Sequence, residues 1–309
     1  MLNEKMSYIV ATFYKFVSLP RYKQMQQPIL NCCQDREIKG TILLAQEGIN
    51  GTIAGTRQGI DSTIAYLRSL SEFDHLEAKE STAKELPFGK LKVKLKKEIV
   101  TLGQPEANPN QQVGTYVKPE DWNEVISNPD VTVIDTRNQY EVGIGTFKRA
   151  IDPKTDSFRE FPEYIAKNID PEQHPKIAMF CTGGIRCEKA SSYLISQGFK
   201  EVYHLKGGIL KYLEEVSPDE SLWQGECFVF DERVTVKEGL AKGNYELCYA
   251  CGHPISEADK ASPYYEPIIS CPHCYEELTP EKKARQINRQ RQREFDRDLA
   301  EDETLREQP

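Results

Sequence analysis

"KIAMFCTGGIRCEKASSYLISQGF" spans Lys176–Phe199. It opens on a short apolar run and closes on a helix-like segment with Gly198 as its C-cap, and a glycine-bearing loop joins the two. Comparable apolar runs, "VTVID" and "EVYHL", stand at 131–135 and 201–205. Short buried strands that alternate with helices predict a parallel sheet covered on both faces. In such sheets the reactive site lies beyond the carboxyl ends of the strands, and Cys181 falls at such an end, just before a helix.

A thiolate at a helix N-terminus, among backbone N–H groups and beside an arginine, has a depressed pKa and is a ready nucleophile. The loop C-T-G-G-I-R supplies these parts: Gly183 and Gly184 let the backbone curl, and Arg186 brings positive charge. A buried structural cysteine in an ordinary strand-to-helix turn is the alternative, and the two glycines with the arginine favour reactivity. Cys187 reads as packing in the first helical turn.

Outward from this α/β domain (115–218) the pattern changes on both sides. Residues 1–104 read as an α+β unit. Ser7–Phe16 is a strand, a helical stretch follows through Cys33, and "GTILLAQEG" and "GTIAG" are two strands with a tight turn at Asn50-Gly51. Asp61 is the expected cap of a second helix, with Ile64, Leu67 and Leu70 at helical spacing. "KLKVKLKKEIV" then closes a βαββαβ, ferredoxin-like order. "GQPEANPNQQVG" (103–114) is the linker to the α/β domain. Residues 219–309 hold "CYAC", "CPHC" and a charged helical tail.

A chain of 309 residues is too long for one core, and 39% hydrophobic with 28% charged residues is ordinary for a soluble globular protein. The sequence has no membrane-length apolar run and no secretory pattern at its start, so a cytoplasmic address is expected. In a reducing cytosol nine cysteines point to catalysis, metal binding or burial. Cys248, Cys251, Cys271 and Cys274 have the paired C-x2-C spacing of a structural, closed four-thiolate Zn²⁺ site. The net charge of −8 argues against nucleic acid only as an average. Lys90, Lys92, Lys94 and Lys96 alternate with Leu91, Val93 and Leu95 along one strand. Lys282, Lys283, Arg285, Arg289, Arg291 and Arg293 crowd the tail helix, ahead of an acidic "DRDLAEDE" end. Two such clusters fit phosphate contacts.

The domain around Cys181 resembles the rhodanese family. Asp135, Arg137, Glu141 and Gly145 match its D-x-R…E…G element, and Leu205, Gly207 and Gly208 its closing L-x-G-G segment. The six residues from Cys181 to Arg186 have the loop length of the sulfur-handling members, one shorter than in the related phosphatases. Thr146 stands where rhodaneses often have His. Taken with "GTILLAQEGINGTIAG" (40–55), "FREFP" (158–162) and the C-terminal cysteine pairs, the chain resembles the tRNA uridine hydroxylase family along nearly its whole length. That resemblance implies a rhodanese domain with Cys181 essential, tRNA as partner, and molecular oxygen as co-substrate for 5-hydroxyuridine formation at the wobble position. Asp135 and Arg137 either order the loop by hydrogen bonds or join the substrate pocket with Gly183 and Gly184, and Glu47 and Asn50 are expected to face the loop and help form the uridine pocket. The sequence shows no facial-triad spacing among its five histidines, and no flavin or haem motif. The expected chemistry is addition of the Cys181 thiolate to C6 of uracil and reaction of the C5 enolate with oxygen, with Arg186 or loop N–H groups stabilising charge. A persulfide-carrying sulfurtransferase and a non-catalytic RNA-binding adaptor stay open.

Overall fold

The structure is a computed structural model and describes residues 7–291. Arg293 and the acidic "DRDLAEDE" end lie outside the described residues. Two compact units divide the chain, 1–242 and 243–309.

The first unit begins with β1 (Tyr8–Phe16), α1 (Tyr22–Gln34), β2 (Lys39–Ala45), β3 (Gly48–Gly55), α2 (Arg57–Ser69), β4 (Ala78–Ala83) and β5 (Leu91–Leu95). The sheet order is β4-β1-β3-β2-β5, and β5 runs parallel to β2. The strand that completes the ferredoxin-like βαββαβ order is therefore β4, and the lysine-rich strand is a fifth, added at the opposite edge. β4 reads "AKESTA" and buries none of its residues fully, so it carries no apolar alternation by which to find it.

The β2–β3 turn also differs from expectation. Ala45 pairs with Gly48, which puts the turn at Gln46-Glu47 and leaves Asn50 and Gly51 inside β3, opposite Leu43 and Ile42. Gly51 is needed for packing: a Cβ there would lie 2.9 Å from the Phe13 ring. Thr56, and not Asp61, caps α2, accepting from the Gly59 N–H at 3.1 Å. Alternation divides the sheet's faces. Ile9, Phe13, Ile42, Leu44, Ile53 and Val93 pack against the helices, while Thr12, Tyr14, Leu43, Asn50 and Thr52 face the other way.

The α/β domain follows with β6 (Thr115–Val117), α3 (Pro119–Ser127), β7 (Val131–Asp135), α4 (Gln139–Val142), β8 (Gly145–Phe147), α5 (Phe161–Asn168), β9 (Lys176–Phe180), α6 (Ile185–Ser196), β10 (Glu201–Leu205) and α7 (Gly208–Glu215). Its sheet, β6-β10-β9-β7, is parallel throughout. Along β9, Ile177 and Met179 join the core beneath α5 and α6, while Ala178 and Phe180 join the core beneath α3 and α7. Both faces are covered, as the apolar runs predict. Phe180, the residue before Cys181, sits in an edge-on aromatic cluster. Phe147 lies 4.8 Å from it, 4.7 Å from Tyr212 and 5.1 Å from Trp223.

Beyond residue 218 the chain stays with this core. β11 (Trp223–Gly225) pairs with β8, and Trp223, Cys227, Val229 and Val236 are buried in the same cluster, the last beside β12 (Cys227–Phe228) in β13 (Thr235–Val236). The second unit holds β14 (Glu246–Leu247), β15 (Pro254–Ile255), α8 (Glu257–Lys260) and a helix over 280–291. Among the described residues no helix is long and apolar enough to cross a membrane.

Candidate active site

Cys181 leaves the end of β9 and enters a loop held by backbone from its neighbours. The Ile209 and Leu210 N–H groups donate to the carbonyls of Cys181 and Thr182 at 3.0 and 3.1 Å. A Cβ on Gly208 would sit 2.5 Å from the Cys181 carbonyl, so only glycine lets the two loops meet this closely. Gly184, at φ +102°, caps α6 and aims its N–H at Cys181 Sγ, 3.1 Å away.

Burial opposes ionisation of Cys181. The Cys187 thiol, the Arg186 charge and the N–H groups of Cys187 and Gly184 outweigh it and bring its pKa below the ordinary thiol value. Cys187, fully buried, is pushed the other way by burial and by the neighbouring thiolate. Its sulfur also lies 3.6 Å from the Thr136 hydroxyl. Cys187 is thus packed in the same buried cluster as Cys181.

Arg186 does not point its donors freely into solvent. Both terminal nitrogens donate to Glu141, at 2.7 Å each. Glu141 is fully buried, caps α4 through the Asn138 N–H, and accepts from the Thr182 hydroxyl at 3.3 Å. Burial works against its charge, and Arg186 more than compensates, holding the carboxyl below its usual range. Asp135 and Arg137 form a second, separate pair. Arg137 Nε and Nη2 donate to the Asp135 carboxylate at 2.9 and 2.6 Å, Arg137 also bonds the Glu141 and Gly145 carbonyls, and the Thr146 hydroxyl donates to Asp135. Both side chains are fully buried. They fix the 135–146 segment that carries Glu141, and neither lines the cleft.

The cleft, about 580 Å³, lies between this loop and the open face of the N-terminal sheet. Cys181, Gly183 and Arg186 line one side; Thr12, Tyr14 and Asn50 line the other. Gly183 has open space about it. Asn50 therefore reaches the site, its side-chain amide anchored on the Ile99 carbonyl at 3.0 Å. Glu47 does not line it. Its carboxylate accepts from Lys189 on α6 at 2.9 and 2.7 Å and from the Ile99 N–H at 2.7 Å. Lys189, 1% exposed, also donates to Glu98 and the Val100 carbonyl. Glu47 is part of a clamp that docks the N-terminal sheet on the α/β domain.

Two more residues from the N-terminal sheet touch the loop. The Tyr14 hydroxyl donates to Glu188 at 2.8 Å. Lys79 Nζ donates to the Gly183 and Gly207 carbonyls, and burial pulls its pKa down to about 8. Burial raises the Glu188 carboxyl above its ordinary value. Tyr14, Lys79, Glu188 and Lys189 carry no local motif, and sequence reading passes over them. Glu141 had a signal, as the acid of the D-x-R…E element three residues after Asn138, in capping-box spacing.

The basic residues divide. Thr41 pairs with Lys92 and Leu43 with Lys94. Thr41 and Leu43 line the cleft, and paired residues in a sheet share a face, so the lysines of β5 continue the cleft wall outward. Lys90, Lys92, Lys94 and Lys96 are all exposed. In the second unit Lys282 and Lys283 are paired with Glu277 and Glu266, at 3.3 and 2.7 Å, while Arg285, Arg289 and Arg291 are exposed. The sulfurs of Cys248, Cys251, Cys271 and Cys274 converge within 4.8 Å of one another and can hold a metal ion.

Family models match in two places: a UPF0176 acylphosphatase-like domain over residues 8–99 and a rhodanese-like domain over 118–215. The tRNA uridine(34) hydroxylase of a Picosynechococcus species is 63% identical over 90% of this chain and 93% of its own length. The chain belongs to the tRNA uridine(34) hydroxylase family. The enzyme of the same name from Teredinibacter turnerae is 59% identical over 93% of this chain and 90% of its own. Among solved structures, a rhodanese-related protein from Thermoplasma volcanium is 26% identical over 34% of this chain and 95% of its own, with a TM-score of 0.28.

Proposed function

We propose that the chain hydroxylates uridine 34 of tRNA at C5, with Cys181 as the nucleophile and molecular oxygen as co-substrate. The observation that carries this reading is the placement of a sulfur disposed to ionise in a cleft lined by two domains, in a chain of this family. The thiolate adds to C6 of uracil, and the electrons of the C5=C6 bond move onto the C5 enolate, which reacts with oxygen. The Gly184 N–H, 3.1 Å from Sγ, holds the sulfur's charge before attack. Arg186 serves the same charge from a position set by Glu141, whose two oxygens take both of its terminal nitrogens. Phe158 and the exposed Phe230 line the cleft and offer stacking faces to an unpaired anticodon base. Lys92 and Lys94, one strand beyond the cleft wall, are placed for the phosphates that flank that base, and Lys90 and Lys96 extend the row. Arg285 and Arg289 offer a second basic surface on the other unit.

The four-cysteine cluster reads as a structural zinc site. Zinc–thiolate bonds of ~2.3 Å set tetrahedral sulfur–sulfur edges of about 3.8 Å. Cys251 and Cys274 lie 3.7 and 3.8 Å from Cys271. Four thiolates leave no open position, so the ion would hold the β14–β15 knuckle and take no part in oxygen chemistry.

Nucleoside mass spectrometry of unmodified tRNA incubated with the protein under heavy-isotope oxygen tests the reading. Labelled 5-hydroxyuridine, absent with Cys181→Ala, is the expected result. A thiolated nucleoside without label would transfer the case to sulfur chemistry.

A further inference from the structure

Putting oxygen on C5 of uracil expels the C5 hydrogen as a proton, and a group in the cleft has to take it. Among the described residues lining the cleft, few can. Arg159, Arg186 and Arg233 keep their protons near neutral pH. Both oxygens of Asp231 are held by Arg233, at 2.9 and 2.6 Å. Cys181 is bonded to C6 when the proton leaves. That leaves Tyr14. Its hydroxyl lies against Gly184, where an added Cβ would come within 2.9 Å of it, and the N–H of that glycine points at Cys181 Sγ.

Tyr14 alone is a poor base, since burial and the charge of Glu188 keep its phenol protonated. Its partner removes the difficulty. The hydroxyl donates to the Glu188 carboxylate at 2.8 Å, and a phenol oxygen that donates one hydrogen bond can still accept another. Burial strengthens Glu188 as a proton acceptor by raising its carboxyl above the ordinary value. Glu188 does not line the cleft. It lines a second cavity, of about 1070 Å³, which shares Thr12, Tyr14 and Gly183 with the cleft. A hydrogen-bonded path of two side chains therefore runs from the cleft to a separate cavity.

We infer that Tyr14 is the catalytic residue that takes the C5 proton, handing its own to Glu188, which releases it through the second cavity. This rests on the reading of Cys181 as the nucleophile. Once C5 carries the new oxygen and C6 the sulfur, the C5–H bond breaks and its proton moves to Tyr14 Oη. The phenolic proton moves at the same time to the Glu188 carboxylate.

The electron pair of the C5–H bond closes C5=C6, and the C6–S pair returns to Cys181 as a thiolate. One adduct and one carboxylate give one free pyrimidine, one thiolate and one carboxylic acid, with no oxidant or reductant in the step. Glu188 acts through Tyr14 and touches no atom of the base.

The test uses the full chain and unmodified tRNA in single turnovers under oxygen, with 5-hydroxyuridine and denaturation-resistant Cys181–tRNA adduct measured together. Wild type is expected to release product with little adduct. Tyr14→Phe keeps the ring; it is expected to release product about 10²-fold more slowly, to accumulate the adduct, and to slow further when C5 carries deuterium. Glu188→Gln keeps an acceptor for the Tyr14 hydroxyl but cannot take its proton. It is expected to behave alike, and it serves if Tyr14→Phe does not fold. A tRNA with 5-fluorouridine at position 34 has no C5 proton to lose. It is expected to trap Cys181 in both variants as fast as in wild type, which a displaced loop would not allow. Product release by Tyr14→Phe at the wild-type rate, or trapping of the fluorinated tRNA slowed in step with product release, overturns the inference and leaves the nucleophile reading intact. Neither product nor trapped adduct from wild type overturns both.

Discussion

Replacing Arg186 by methionine removes one charge that two neighbours depend on. Arg186 is 10% exposed and Glu141 not at all, so the variant strands a buried carboxylate with only the Asn138 N–H and the Thr182 hydroxyl among the partners named above. Stranding one member of a buried pair costs about 3–5 kcal/mol. The second dependent is the Cys181 thiolate. Arg186 is among the groups that lower the Cys181 pKa, and a neighbouring unit charge at an effective dielectric near 20 contributes on the order of 3 kcal/mol, or ~2 pK units. The Cys181 pKa therefore rises, from the lost attraction and from the Glu141 charge that arginine no longer offsets. Urea denaturation reads the first effect. The pH dependence of Cys181 alkylation, followed by peptide mass spectrometry because the chain has nine cysteines, reads the second. In wild type the rate is flat through neutral pH, since the sulfur is already ionised. In the variant it climbs about tenfold per pH unit up to the new pKa. Arg186→Met/Glu141→Leu separates the roles. A buried pair replaced by apolar residues is often neutral in stability, less about 1 kcal/mol for the lost carboxylate half of the α4 cap. The double variant thus recovers most of its stability while alkylation stays shifted. Superimposable alkylation profiles for wild type and Arg186→Met would refute the argument, because the thiolate would then owe nothing to arginine.

Lys189→Met leaves Glu47 and Glu98, each with a side chain 20% exposed, facing one another without their cation. Partial solvation reduces the loss to about 2–3 kcal/mol in urea denaturation; Glu47→Gln costs less than this, and Asn50→Ala lowers modification while costing only about 1 kcal/mol for its bond to the Ile99 carbonyl. Lys92→Glu/Lys94→Glu weakens tRNA binding across sequences and flattens the plot of log affinity against log salt by about 2, measured by filter binding at several salt concentrations. Stripping metal with a chelator raises amide exchange over residues 246–277 while leaving residues 8–240 unchanged, since the cysteine cluster belongs to the second unit.

How much of this could be read from the chain follows from the range of each interaction. The strand–loop–helix around Cys181 was legible because its determinants are consecutive: apolar strand residues, two glycines and an arginine within eleven positions. The four-cysteine cluster was legible from its spacing. β4 was not, because an edge strand with half-exposed small and polar residues has no alternation to detect. Asn50-Gly51 misled because glycine serves two purposes, and here it makes room for Phe13 instead of a turn.

The contacts that make the cleft have no local signature at all. Tyr14 meets Glu188 across 174 positions, Glu47 meets Lys189 across 142, and Lys79 meets Gly183 across 104. Each is a charged or polar residue whose partner lies in the other domain, and each would read as solvated surface if its own domain stood alone. Lys189 makes the point most sharply. A fully buried ammonium on the packed side of α6 would be untenable in an isolated rhodanese domain, where no carboxylate answers it. The N-terminal domain supplies Glu47 and the segment after β5 supplies Glu98, so the cost of burying the charge becomes a condition that only the docked arrangement meets. The same docking sets the open face of the N-terminal sheet over Cys181. Burial of Lys189 and formation of the cleft are one event, and a change that loosens the clamp should reach the thiolate without touching the loop.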